Sequence, residues 1–351
     1  MAARVTIKQI AVLARVSTAT VSHVLNATAY VSPKLRERVK RVVRELNYQP
    51  DYMARGLRTR KSRTVGMIIP NITNPFFPAQ VRGVEDVLHR EGYNLIVGNS
   101  DYDLQREEAY FRTFGARRVD GLVLVITPTR PPHYLQNHNF EEMPVVYIDR
   151  FYRGAGGDAV LADNIAGSQQ AVSHLLELGH QRIGVITGPL HMLMARRRLL
   201  GYQRAFRAKG LAVEQELVRE GAFDTQSGYE QARVLLGLTP RPTAIFACNG
   251  LMTMGCLRAI AEVNLRCPED LALVSFDDLE WFAHMRPGIS AVRNPAYELG
   301  ATAAELLVRR MSGSFSGPPQ RRILETQLVL RESSALKLET SLRLDDPPTS
   351  G

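Results

Sequence analysis

The feature that most constrains the fold is a series of short, mainly apolar runs that starts at Val65 and alternates with helix-like stretches. The runs are 65–69, 94–97, 121–125, 145–148, 183–186, 244–247 and 271–276. The helix-like stretches include 77–91, 165–178, 196–209 and 251–263. Strands that are apolar almost throughout are typical of parallel sheets with helices on both faces. Since about 270 residues suffice for two such lobes, we predict a two-lobed α/β body from residue 64.

The first fifty residues have a helical periodicity instead. A first helix is predicted over 6–15, because one helical face carries Ile7, Ile10, Ala11 and Ala14. Ser17 is a suitable cap for a second helix, and Ser32 followed by Pro33 is a start signal for a third. The third helix has an apolar stripe of Leu35, Val39, Val42, Val43 and Leu46. This pattern predicts an all-α helix-turn-helix head, with a three-helix module that merely packs as the alternative.

Charge separates the head from the body. Residues 1–63 contain 14 Lys or Arg and 3 Asp or Glu, so their net charge is +11. The remainder of the chain carries −2, and the two parts together give the net charge of +9. Such asymmetry indicates a polyanion-binding module joined to a nearly neutral body.

Several segments in the first sixty residues have a familiar order. They are TIKQIA from Thr6, VSTATVSHVLN from Val16, VSP from Val31, LNYQP from Leu46 and ARGLRTR from Ala54. Together they resemble the lactose-repressor (LacI/GalR) family, and the resemblance continues to about Glu332. It implies a helix-turn-helix head followed by a body like that of periplasmic sugar-binding proteins.

The resemblance also implies which residues bind DNA. The second helix would read the major groove, with contacts from Thr6, Thr18, Ala19, Thr20, Ser22, His23 and Asn26. A hinge helix would bring Ala54 and Leu57 to the minor groove, where the leucine acts as a wedge.

Two residues of this region depart from the family pattern. His23 stands where the family usually has arginine, so the base preference cannot be transferred by analogy. Gly56 lowers the helix propensity of the hinge by ~1 kcal/mol. We therefore expect the hinge to fold on binding DNA, with a plain flexible linker as the alternative.

Polar residues follow the predicted strands of the body, where parallel α/β lobes bind their ligands. Asp149 and Arg150 follow one strand, Asn249 follows another, and Asp277 and Asp278 follow a third. A helix cap or turn is as good an explanation for any one of them. The resemblance implies effector contacts by Phe76, Asp149, Arg196, Phe223, Asn249 and Asp277. The neighbours Arg197 and Arg198 are expected to be mostly solvated.

Two further residues bear on the ligand. Gly250 follows Asn249 where the family typically has aspartate, which removes a carboxylate beside the expected site. Trp281, the single tryptophan, either stacks on a sugar ring or packs under a loop.

The expected organisation is a head (1–49), a hinge (50–63), a body (64–332) and a disordered tail (333–351). As in the family, the chain would cross between the lobes, so that the first lobe comprises 64–163 with 293–322 and the second 164–292 with 323–332. Residues 312–319 are predicted to form an exposed loop before the last crossing.

Other classes of protein fit poorly. The chain lacks the GxxxxGK[ST], HExxH and GxSxG motifs, so an enzyme is not expected. Its three cysteines are spaced unlike a metal site, and neither metal nor cofactor is expected. A solute-binding protein of a transport system would need a signal peptide and no basic head. Since neither a signal peptide nor an apolar span was found, we expect a cytoplasmic protein without membrane contact.

The function implied is a transcriptional regulator, in most of the family a repressor, whose partners are double-stranded operator DNA and a small effector. A sugar or sugar acid is the expected effector, and a purine-like co-repressor is the alternative. The expected assembly is a homodimer, with a tetramer as the alternative.

Overall fold

The computed structural model describes residues 5–26, 29–48, 62–127, 133–136, 143–151 and 156–335. The chain divides into two compact units, Met1–Ser62 and Arg63–Gly351, which we call the head and the body. None of the described helices is both long and apolar enough to cross a membrane.

The head contains the three predicted helices: α1 (Ile7–Leu13), α2 (Thr18–Asn26) and α3 (Pro33–Glu45). Thr6 and Gln9 form a capping box at α1, and the Ser17 hydroxyl accepts a hydrogen bond from the Thr20 N–H at 3.0 Å. Ser32 occupies the cap position of α3, but its hydroxyl makes no capping bond. Pro33 marks the start of α3 instead, because its fixed φ suits the first helical turn. The apolar core is Ile10, Ala11, Ala14, Val21, Val39 and Val42.

The body contains two six-stranded sheets. In lobe 1 the strand order is β11-β5-β4-β3-β1-β2, and all strands are parallel. The strands are β1 (Thr64–Ile69), β2 (Asn94–Asn99), β3 (Gly121–Leu124), β4 (Val145–Ile148), β5 (Asp158–Ala162) and β11 (Arg321–Leu324). The helices are α4 (Phe76–Arg90), α5 (Leu104–Ala116), α6 (His133–Gln136) and α11 (Ala296–Met311).

Lobe 2 has the order β12-β10-β9-β8-β6-β7, in which only the edge strand β12 is antiparallel. The strands are β6 (Ile183–Thr187), β7 (Val218–Glu220), β8 (Ala244–Ala247), β9 (Ala272–Phe276), β10 (Ser290–Arg293) and β12 (Gln327–Val329). The α-helices are α7 (Asn164–Glu177), α8 (Leu193–Ala208), α9 (Thr225–Leu236) and α10 (Gly250–Glu262). Short 3-10 helices are Gln215–Leu217, Glu280–Ala283 and Glu332–Ser334.

The chain passes between the lobes three times. It crosses after β5, after β10 and between β11 and β12. The boundary predicted at residue 322 falls inside β11, so the last crossing lies at 325–326. The boundary predicted at 293 falls at the last residue of β10, so this crossing lies at 294–295.

The start of the predicted tail is ordered. Ser333 and Ser334 are buried, and the Ser333 hydroxyl donates a hydrogen bond to the Leu273 carbonyl at 2.6 Å. The Ser334 hydroxyl lies 2.6 Å from that of Ser290. The body therefore extends at least to residue 335, and the remainder of the predicted tail lies outside the described residues.

A buried ion pair holds the loop between α11 and β11. Arg310 donates to both carboxylate oxygens of Asp158, at 2.9 and 2.8 Å, and also to the carbonyls of Gly317 and Pro318. The same carboxylate accepts the Gln320 N–H at 2.7 Å. The loop is therefore bound to Asp158 of β5 at both of its ends, through Arg310 before it and through Gln320 after it.

Candidate functional site

The helix α2 presents small polar side chains on the surface of the head. Thr18 and Ala19 are exposed, and Thr20, Ser22 and His23 are half-buried. An open depression beside them is lined by side chains that include Lys8 and Arg15 of the α1 region.

The remaining predicted DNA contacts are placed differently. Thr6 caps α1, and its hydroxyl is engaged in that capping box. Asn26 is the last residue of α2, and its side chain is not described. Ala54 and Leu57 lie outside the described residues.

In lobe 2 the central side chain at the carboxyl edge of the sheet is Arg198, which is only 3% exposed. Its Nε donates to Asn164 Oδ1 at 2.7 Å, and Nη1 donates to the Cys248 carbonyl. Its Nη2 lies 3.8 Å from Asp277 Oδ1, and its guanidinium stacks on the ring of Phe276 at 3.8 Å. This position contradicts the expectation that Arg198 is solvated.

Asp277 is held by several groups. Asn294 Nδ2 donates to Asp277 Oδ1 at 3.0 Å, and the backbone N–H of Gly250 also bonds the carboxylate. Burial raises the pKa of Asp277, whereas the Arg198 guanidinium and the Asn294 amide act in the opposite direction.

Asn249 performs a structural task. Its Oδ1 accepts the Met252 N–H at 2.7 Å and so caps α10, and its Nδ2 donates to the Phe223 carbonyl at 3.1 Å. It therefore connects α10 to the segment that carries Phe223, whose ring centroid lies 6.0 Å from the Arg198 guanidinium carbon.

In lobe 1 the corresponding edge carries Asp149 and Arg150, both at most 5% exposed. Arg150 Nη1 donates to the Ile126 carbonyl at 3.1 Å, and Nε lies 3.7 Å from Asp149 Oδ2. Behind them is Glu107, which is fully buried and accepts hydrogen bonds from the Thr127 N–H and the Tyr134 hydroxyl. Burial raises the pKa of Glu107, and these hydrogen bonds partly offset the rise.

The two edges meet around Tyr102. This residue follows β2 of lobe 1 and packs against the apolar core of lobe 2, and its ring centroid lies 5.9 Å from the Arg150 guanidinium carbon. Asp149 also contributes to raising the pKa of Asp277, so the two carboxylates interact across the lobes. We call Tyr102, Asp149, Arg150, Arg198, Phe223, Asp277 and Asn294 the interlobe site.

Of the ten described non-glycine residues with positive φ, five lie in this region. Asp101, Tyr102, Asp149, Phe223 and Asp277 have φ values between 51° and 71° although none is glycine. The left-handed conformation costs such residues of order 1–3 kcal/mol each and is frequent at ligand sites.

Not all predicted effector residues belong to this group. Phe76 begins α4 and is buried in the lobe 1 core, where it packs edge-on against Phe77. Arg196 is exposed on α8, so Arg198 rather than Arg196 faces Asp277. Trp281 lies on a 3-10 helix and is 42% exposed, so it is not packed under a loop.

The other sequence expectations concern cysteines and metals. All three cysteines are free, and burial raises the pKa of Cys248, Cys256 and Cys267 to about 12. Across the described ranges, no group of three or more His, Cys, Asp or Glu side chains could hold a metal ion.

Comparison with known proteins identifies the family. Residues 6–51 match the bacterial regulatory proteins of the lacI family, and residues 172–334 match a periplasmic binding protein-like domain. The ribose operon repressor of Haemophilus influenzae is 35% identical over 328 residues, which cover 93% of this chain and 98% of that protein. The chain belongs to the LacI family.

Two more LacI-family proteins extend the match. The transcriptional repressor PurR of Aliivibrio salmonicida is 33% identical over 330 residues, or 93% of this chain and 98% of its own. A crystal structure of the lac repressor dimer bound to operator and the anti-inducer ONPF is 26% identical, with a TM-score of 0.84 and coverage of 95% and 99%.

These relationships confirm the predicted family, the fold class and the general function. The chain is a DNA-binding transcriptional repressor under the control of a small-molecule effector. Because the relatives are regulators, the expectation that the chain is not an enzyme is also confirmed.

One glycine gives a test of the interlobe site. A Cβ at Gly188, which follows β6, would overlap the ring of Phe223. We expect Gly188→Ala to displace this ring, to lower the free energy of unfolding by about 1–3 kcal/mol and to weaken stabilisation by the effector. Calorimetry with and without effector measures both changes.

Gly237→Ala is the matched control. Gly237 ends α9 with φ −82°, and the atoms nearest to a Cβ there lie 3.5 Å away or more. This variant should keep the stability and the effector response. An effector response in Gly188→Ala equal to that of Gly237→Ala would contradict a role for Phe223.

Proposed function

We propose that this repressor binds a pseudo-palindromic operator as a homodimer, and that a sugar bound at the interlobe site controls its affinity for the operator. Thr18, Ala19, Thr20, Ser22, His23 and Asn26 of α2 read the major groove, and Thr6 positions α1 on the phosphate backbone. As the sequence resemblance implies, Ala54 and Leu57 act at the centre of the operator. The effector contacts are Asp149, Arg198, Phe223 and Asp277, with supporting positions at Phe76 and Asn249.

One observation carries the effector half of this proposal. Charged side chains from both lobes converge at the interlobe site, where they are almost entirely buried. Several residues of the site, including Asp149 and Asp277, also have strained backbones. Buried charges are costly unless they are paired or bind a ligand, and polar groups that converge beside aromatic rings are typical of small-molecule sites. The named relatives support a sugar, since one is a ribose operon repressor.

The DNA half is supported by the charge of the head. We expect operator affinity to fall by about 10³–10⁵-fold between 50 and 200 mM salt, as for proteins that neutralise 6–10 phosphates. Fluorescence anisotropy with a labelled operator at several salt concentrations measures the slope. A slope near zero would contradict phosphate binding by the basic residues.

The effector half is tested by thermal shift. At a hundred times its dissociation constant, a ligand should stabilise the body by ~2.7 kcal/mol, which raises the melting temperature measurably. The panel comprises sugars, sugar acids, polyols and purines, and each hit is then added to the operator-binding assay. A hit that changes operator affinity supports the proposal, and its sign separates an inducer from a co-repressor.

A purine co-repressor is the second candidate, because one relative is named PurR. A purine that stabilises the body and tightens operator binding would establish this alternative. It would leave the position of the site unchanged.

A further inference from the structure

We infer that the effector is an uncharged, polyhydroxylated molecule, and that the interlobe site selects against phosphorylated sugars and sugar acids. This inference rests on the proposed function, because it concerns the chemistry of the same site.

The donors of Arg198 are largely occupied within the protein. Two of its nitrogens donate to Asn164 and to the Cys248 carbonyl, and the third faces the Asp277 carboxylate. One face of the guanidinium is covered by the ring of Phe276. Recognition of a phosphate or carboxylate by arginine normally uses a pair of parallel donors. A bidentate anion at Arg198 would therefore have to compete with the Asp277 carboxylate for the remaining donors.

The charge of Arg150 is balanced in a similar way. Nη1 bonds the Ile126 carbonyl, and the carboxylate of Asp149 lies 3.7 Å from Nε. Glu107 is a second carboxylate that interacts electrostatically with Arg150 from behind. The two arginines of the site are therefore balanced by Asp149 and Asp277 before any ligand binds. An anion would add negative charge next to two carboxylates in a region of low dielectric.

The interlobe site also contains buried polar atoms without partners. In the described residues of the site, Asp149 Oδ1, Arg150 Nε and Asn294 Oδ1 have no hydrogen-bond partner. The three residues are at most 8% exposed, so each such atom needs a hydrogen-bond partner, which a bound ligand or water supplies. Two of the three atoms are acceptors, and they need donors.

This requirement distinguishes the candidate ligands. A hydroxyl group both donates and accepts, so neighbouring hydroxyls of a sugar can satisfy both acceptors and the Arg150 donor. A phosphate or carboxylate group only accepts, so where such a group replaces a hydroxyl beside Asp149 or Asn294 it leaves that acceptor unsatisfied, and it repels the Asp149 carboxylate. The hydrogen-bond pattern and the charge balance thus favour the same class of ligand.

The experiment compares matched pairs on the full-length protein at constant ionic strength. The pairs are ribose with ribose 5-phosphate, glucose with glucose 6-phosphate, and glucose with gluconate. We expect a neutral sugar to raise the melting temperature and its anionic counterpart to bind at least ten-fold more weakly by calorimetric titration. Hypoxanthine is included because it is neutral but carries no hydroxyl array.

A variant tests the acceptor argument directly. Asp149→Asn keeps the shape of the side chain but replaces an acceptor by an amide donor and removes a negative charge. We expect this variant to bind the neutral sugar at least ten-fold more weakly and to discriminate less against its anionic counterpart. Arg196→Ala, on the exposed face of α8, is the matched control and should retain the discrimination.

The outcomes separate this inference from the proposed function. An anionic sugar or hypoxanthine that binds more tightly than every neutral sugar and changes operator affinity would overturn the inference but uphold an effector-controlled repressor. If no compound changes either the melting temperature or operator affinity, both the inference and the sugar-controlled function are contradicted.

Discussion

Replacing Arg198 by alanine is expected to lower the free energy of unfolding of the body by about 3–5 kcal/mol, the usual cost of breaking a buried ion pair. The change removes the bonds to Asn164 and Cys248 and leaves Asp277 buried without its cation. It should also abolish stabilisation by the effector. Urea unfolding of the purified protein, with and without effector, measures both effects.

The loss should depend on pH in a definite direction. Burial already raises the pKa of Asp277, and loss of the arginine raises it further. A carboxyl group whose folded-state pKa lies above the unfolded value stabilises the fold below the unfolded pKa and loses this contribution as pH rises through the folded one. The variant should therefore be less impaired at pH 5 than at pH 8.

Arg196→Ala is the matched control for this prediction. Arg196 lies two residues earlier on the same helix and is exposed, so its loss should change the free energy of unfolding by no more than about 0.5 kcal/mol. Equal losses in the two variants would refute the central role of Arg198.

Replacing Thr18 by glutamate is expected to reduce operator affinity by about 10³-fold or more, to the level of non-specific binding. Thr18 is the exposed first residue of α2, so the new carboxylate would face DNA phosphates. The helix itself should tolerate the change, because a negative charge in the first turn interacts favourably with the helix dipole and stabilises the helix. Anisotropy with specific and unrelated DNA, together with circular dichroism, measures the effect.

Lys40→Gln changes the net charge by the same amount at an exposed position of α3. It should weaken binding to both DNAs only a few-fold, because it alters the long-range field and not a base contact. If both variants lost the same affinity, α2 would not be the reading helix.

The sequence predicted those elements whose signal is local. The seven apolar runs all became strands. Six of them are buried almost throughout, as expected for strands covered on both faces, whereas β2 lies at the sheet edge and its residues 94–97 are mostly exposed. The strand β5 was not predicted, since it starts at Asp158, a charge that becomes acceptable only through Arg310, 152 residues away. Similarly, β10 and β12 are only four and three residues long, and β12 is placed by its pairing with β10, in which Gln327 pairs with Arg293, 34 residues earlier in the sequence.

Arg196 was predicted to contact the effector, whereas the structure places Arg198 at the site, and helical periodicity accounts for the difference. The helix begins at Leu193, and its buried positions include Ala195, Arg198, Gly201 and Tyr202, spaced three or four residues apart. Residues 196 and 198 differ by about 200° around a helix, so only one of them can face the core. Of Arg196, Arg197 and Arg198, only Arg198 continues the spacing of the buried positions, so this periodicity indicates Arg198.

Other residues in and around the interlobe site had no such signal. Tyr102 and Asn164 lie at a turn and at a helix start, and their neighbours in the interlobe site are distant in sequence. Glu107 reads as an ordinary charged residue of an amphipathic helix, although it is fully buried. Only tertiary packing reveals these roles.

The ion pair between Asp158 and Arg310 has a consequence for proteolysis. Loops rich in serine, glycine and proline are usual sites of cleavage, and residues 312–319 have this composition. Here Arg310 holds the carbonyls of Gly317 and Pro318, and Asp158 holds the N–H of Gln320. A protease must draw the loop into its active site in extended form, which would break these bonds. Proteases should therefore spare the carboxyl half of this loop, and any nick at Ser314 would leave two fragments that remain joined through Asp158.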